Sequence, residues 1–148
     1  MGTASPGVPA ANTPVPEAPK ATFSVQDVLA KKGDAAKGGE LVQRCTMCHQ
    51  IGANGPGYGP ELRGFFARQG LESVVTAIVE PSASIALGYE GTTLKLKAGG
   101  QIDGLIQSNN DPIVIKSAGG VSQLVPKNRV AGQSKMTRSL MLSADQLG

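Results

Sequence analysis

Cys45 and Cys48 stand two residues apart with His49 directly after, in the stretch QRCTMCHQ. They are the only two cysteines and the only histidine among 148 residues. Three chemistries use such spacing. A structural zinc site needs four ligands, and this chain offers two thiols and one adjacent imidazole. A redox dithiol normally opens a helix after a strand in a βαβ unit, whereas a helical pattern precedes this motif. It would also leave His49 without a task. Haem attachment employs all three residues: the thiols add across the two vinyl groups, and the histidine falls beneath the iron as proximal ligand.

Iron then asks for a sixth ligand. A single histidine excludes bis-histidine ligation within one chain. Of the four methionines, Met1 lies in the N-terminal tail and Met47 inside the motif, where it cannot reach the distal face. Met136 and Met141 remain, though methionine is commonly core filler. Lysine, asparagine or water are weaker choices.

The elements that must position these residues are legible in outline. Ser24 with Asp27 three residues on forms a capping-box start for a short helix ending at Gly33. Asp34 caps a second helix, AAKGGELVQRC, whose Gly38 and Gly39 suggest close packing against another helix. NGPGYGPELRG, residues 54–64, reads as a loop long enough to lie over a flat ligand. Leu71, Val74, Val75, Ile78 and Val79 form the core stripe of an amphipathic helix stopped by Pro81. Beyond Gly88 the period changes. TTLKLK, QIDGLIQS, IVIKS and VSQLVP are four short strands joined by tight turns, an antiparallel meander. From Gly132 the pattern returns to helix or loop.

The expected fold is therefore mainly α, a helical domain over residues 23–148 with a small β-meander inserted at about 89–130. Residues 1–22 are rich in proline and alanine and read as an extended linker or tail. They have neither the basic start nor the apolar stretch of a signal peptide, and no apolar run reaches membrane-spanning length. The formal charge is +3, fourteen Lys and Arg against eleven Asp and Glu. Without a dense basic run or interleaved aromatics, nucleic-acid binding has little support. Three Phe, two Tyr and no Trp make a ring-poor core that a large flat apolar cofactor would complete.

Several of these stretches together resemble a known family. GDAAKGGELVQRCTMCHQIG is similar to the start of small soluble cytochromes c, and YGPELRGF to the loop that follows it there. VEPSASIALGYEG, GGQIDGLIQSNND and the late SLM narrow the resemblance to the Pirellula/Verrucomicrobium-type haem-binding domain. It runs from about Gly33 onward. The resemblance implies a cytochrome c-like haem domain holding one covalent haem c through Cys45 and Cys48. It implies His49 as proximal and Met141 as distal iron ligand, with the Pro60 carbonyl accepting a hydrogen bond from the proximal imidazole. Two features depart from the pattern. Leu142 stands where the family has proline after the methionine. Only about one turn follows Ser143, where the family has a helix crossing the one that bears Gly38 and Leu41. An exposed apolar patch around Leu41, open to self-association, is the expectation.

The expected function is electron transfer by a c-type haem with His/Met ligation, in an exported, periplasmic setting. The protein would be an electron carrier rather than an enzyme on an organic substrate. It would work with a redox partner or a fused dehydrogenase-like domain. Arg63 or Arg68 could bond a propionate, and Tyr89 could line the pocket. Two alternatives stand beside it. One is a sensor or peroxidase-like haem protein with an open sixth position, the other a thiol oxidoreductase without haem.

Overall fold

The computed structural model describes residues 14–15 and 21–147. The tail expected over 1–22 thus lies outside the described residues, apart from Pro14, Val15, Ala21 and Thr22. Helix α1 spans Val25–Leu29, and its capping box is complete: Ser24 accepts from the Asp27 N–H, and the Asp27 carboxylate accepts from the Ser24 N–H. Helix α2, Ala35–Leu41, starts at Asp34, whose carboxylate accepts from the Ala36 and Lys37 N–H groups. It tightens into a 3-10 turn over Val42–Met47, which carries Cys45 and leads directly into Cys48. Helix α3 spans Phe65–Val79 and breaks at Gly70, whose φ of 82° and ψ of 170° no helix contains.

Five strands follow: β1 Thr92–Leu96, β2 Gln101–Ser108, β3 Ile113–Lys116, β4 Ser122–Val125 and β5 Val130–Lys135. All neighbours are antiparallel, in the order β4-β3-β2-β1-β5. The short helix α4, Ala144–Leu147, completes the described chain. The expectation of a mainly α protein is therefore wrong: an antiparallel sheet of five strands is the largest element among the described residues. Residues 132–135, expected as helix or loop, instead belong to strand β5 with Val130 and Ala131. The physical reason lies in VAGQSK, which has no apolar alternation and whose residues are exposed or half-buried. It is an edge strand held by its ladder to β1, from Thr92 opposite Lys135 to Leu96 opposite Val130. Pairing of this kind leaves no mark in hydropathy.

The sheet separates two cores. On one face Leu94, Leu96, Ile102, Ile113, Ile115 and Val125 are buried, with Ile106 and Val130 packed against them. Every member is a strand residue. The sheet therefore curls over its own apolar face, helped by register shifts at Lys95/Leu96 and Ile106/Ser108. The other face carries Leu105 and joins a cluster of Val15, Tyr58 and Leu140 with Cys48, Met136 and Leu142. This second cluster is where the sheet meets the attachment motif.

Two expectations about the helices fail. The stripe on α3 buries only Val75 and Val79, while Leu71 and Ile78 are exposed. Nothing lies within 4 Å of a Cβ placed on Gly38 or Gly39, so no packing demands glycine there. Gly38→Ala is accordingly expected to stabilise the protein by roughly 0.5–1 kcal/mol, since alanine costs the helix less chain entropy. The urea midpoint of the apoprotein reads this, and a lowered midpoint would show a contact requiring the glycine. Leu41, Met47 and Phe66 are each more than half exposed.

Candidate haem-binding site

The motif is built by local backbone bonds. Cys48 and His49 both donate their N–H to the Cys45 carbonyl, at 3.1 and 2.8 Å. The turn places Cys45 and Cys48 half-buried, with no disulfide between them. Burial pushes the Cys48 thiol above its ordinary pKa, the Gly119 N–H bonded to it works against that, and nearby Cys45 adds to the rise. The bond also locates the turn between β3 and β4 directly against the motif. At Gly120 a Cβ would come within 2.4 Å of Pro56.

The loop expected over 54–64 folds back along the motif. Gly59 donates to the Cys48 carbonyl at 2.7 Å, and Leu62 to the Gln50 carbonyl at 3.0 Å. Between these two bonds the loop presses on His49, which is 9 % exposed. A Cβ on Gly59 would lie 2.5 Å from Cε1, 2.6 Å from Nδ1 and 2.9 Å from Nε2 of the imidazole, so only glycine fits. The Pro60 carbonyl oxygen lies 2.7 Å from Nδ1. A carbonyl can only accept, so Nδ1 carries a proton, and in the neutral ring Nε2 keeps its lone pair. This fixed tautomer is what an iron ligand through Nε2 requires.

Tyr58 supplies a second sign. Its side chain is buried, and its hydroxyl has no hydrogen-bond partner among the described residues. Burial raises its pKa, and the neighbouring Cys48 and Asp103 raise it further. Leaving a buried hydroxyl unpaired is costly, and a polar group of a bound ligand would relieve that cost. An orphaned phenol beside the Cys48 thiol, with a second free thiol at Cys45 and an imidazole held through Nδ1, fits a covalently attached haem.

Residues 35–107 match the cytochrome c family model. This stretch is a domain of the cytochrome c superfamily. No curated protein matches it at a significant level. Membership brings covalently bound haem c with its iron, electron transport and an electron-carrying role. Cytochrome c domains typically act outside the cytoplasmic membrane, and no described helix is long and apolar enough to cross one.

The remaining candidates of this cytochrome c are scattered. Met136 packs in the cluster beside Cys48, and a Cβ on Gly91 would meet its sulfur at 2.6 Å. Met141 is half-buried between Leu140 and Leu142, both of which join that cluster. Arg68 is exposed and donates to the Arg63 carbonyl at 3.0 Å, and the Arg63 side chain is exposed too. Tyr89 is half-buried and belongs to neither cluster. Sequence reasoning missed three groups: Tyr58 as an orphaned phenol, the Gly119 amide, and the buried Asp103. Only Asp103 left a signal, a carboxylate between Ile102 and Leu105 in the middle of a strand.

Proposed function

We propose that this cytochrome c domain carries single electrons on one haem c with His/Met ligation. Cys45 and Cys48 would hold the group as thioethers, and His49, through Nε2, and Met141 would be the residues that bind its iron. The observation that carries this reading is the His49–Pro60 hydrogen bond, which fixes the protonation state of the imidazole. When bound, the haem supplies a reversible one-electron couple, and His/Met ligation favours the reduced form over bis-His. The chain's own residues do the rest. Pro60 raises the donor strength of the imidazole by accepting the hydrogen bond from Nδ1–H. The 54–62 loop keeps water from the ring, and the sheet face bearing Leu105 walls one side.

Met141 is supported by its place in SLM. Met136 is the filler of the Cys48 cluster. The experiment is an oxidised and reduced absorption spectrum of protein matured with haem-attachment machinery, with a pyridine haemochrome assay. A c-type haemochrome and the weak red charge-transfer band of ferric methionine ligation are expected. Met141→Leu loses the band and Met136→Leu keeps it. The reverse pattern moves the ligand to Met136, and a c-type haem without the band in the parent protein makes it a sensor or peroxidase-like protein with an open position. An exported, periplasmic location and a redox partner or fused dehydrogenase-like domain complete the proposal, with self-association through the exposed face around Leu41.

A further inference from the structure

Asp103 is a carboxylate 1 % exposed on the sheet face opposite Ile102, an arrangement that costs several kcal/mol unless donors satisfy it. Its donors come from three separated parts of the chain. Thr93 Oγ1 donates to Oδ1 at 2.6 Å from the neighbouring strand, and Gln101 Nε2 lies 3.1 Å from the same oxygen. The Val15 N–H donates to Oδ2 at 2.9 Å. The Arg138 guanidinium lies 3.9 Å from Oδ2 and donates to the Val15 carbonyl. Both backbone groups of Val15 are therefore clamped, its N–H by Asp103 and its carbonyl by Arg138.

Arg138 sits between the two candidate methionines, in a stretch without regular structure. Residues 136–142 reach other parts of the described chain through widely spaced bonds. Met136 donates to the Gly91 carbonyl at 2.8 Å and Ser139 to Ser82 Oγ at 3.0 Å. The charged pair joins this stretch to the sheet and to the Val15 segment at once. Next to it Val15, Leu140 and Tyr58 are buried against each other. A segment without a ladder or helix of its own drifts when such a bond is lost, and an iron–methionine bond is sensitive to small displacements of its arm.

We propose that Asp103, acting through Arg138 and Val15, is a positioning residue that holds the 136–142 segment where its methionine meets the iron. The proposal deepens the His/Met reading above and rests on it. Asp103→Asn keeps the shape and removes the charge that orients the guanidinium. In the ferric holoprotein it weakens the red methionine band, and it speeds cyanide binding about tenfold or more, the scale on which outer partners act on metal ligation. Ile115→Ala serves as the control: it lowers stability from the opposite sheet face without touching the segment, and the band stays.

Four outcomes decide the matter. A parent protein without the band removes the His/Met reading and this proposal with it. A parent with the band and an Asp103→Asn variant within twofold of its cyanide rate overturns the positioning role alone. Equal effects of Asp103→Asn and Ile115→Ala also overturn it, because the role is then only structural. A faster rate in Asp103→Asn alone supports it. Should that variant fail to fold, Arg138→Lys is read the same way: it keeps the cation and loses the fork that spans Asp103 and Val15.

Discussion

Gly59→Ala is expected to unseat the His49 imidazole. The added Cβ would lie 2.5–2.9 Å from three atoms of the ring, closer than any real contact. The ring cannot retreat while Nδ1 is held 2.7 Å from the Pro60 oxygen. The loop cannot lift without breaking its bond from Gly59 to the Cys48 carbonyl. One of the two bonds must go, and overpacking of this kind costs about 1–3 kcal/mol. With His49 as the iron ligand proposed above, loss of the Pro60 acceptor also weakens iron binding by His49 by about 10–100-fold. The measurements are the urea midpoint of the holoprotein and its fraction of high-spin ferric haem. A midpoint and spectrum equal to those of the parent would mean that the loop has slack the structure denies.

Ile115→Ala attacks the other face. Ile115 is fully buried among Leu94, Ile102 and Val125. Truncation removes three carbons and leaves a hole that strands on both sides cannot close. The expected cost is about 2–5 kcal/mol, a large share of the roughly 5–15 kcal/mol that holds a domain folded. Urea unfolding of the apoprotein, followed by far-ultraviolet circular dichroism, measures it. A single transition displaced downward is expected, because Leu105 and Asp103 tie the sheet to the second cluster. Two transitions, with only one displaced, would show that the sheet unfolds as a separate unit.

The sequence showed what depends on periodicity and on side chains acting near their own position. Ser24, Asp27 and Asp34 cap helices α1 and α2 where they were placed, and the first four strands lie where alternation and turn residues put them. Strand β5 was not legible because an exposed edge strand is chosen by its partner's free backbone groups, and β1 supplied them. The core role assigned to Leu71 and Ile78 failed for a related reason: a 3.6-residue period shows which side of a helix is apolar, but not how much of it is covered. At the site, the cysteine spacing exposed the motif, while Tyr58, Gly119 and Asp103 become meaningful only through neighbours remote in sequence. Asp103 meets Val15 from 88 residues away. No local pattern encodes such a meeting.

The clamp on Val15 has a consequence for the order in which the chain can assemble. Joining Arg138 to Val15 closes a loop of 123 residues, whereas Leu94 meets Ile102 across a short hairpin. Each doubling of loop length adds about 0.6 kcal/mol of chain entropy, and distant pairings form slowly. The hairpins can therefore stand while the Val15 segment and the 136–142 segment are still apart. One wall beside the cysteines is then built and the opposite side is open. For a cofactor joined to the chain by two covalent bonds, attachment is expected to be easier before the clamp closes than after it.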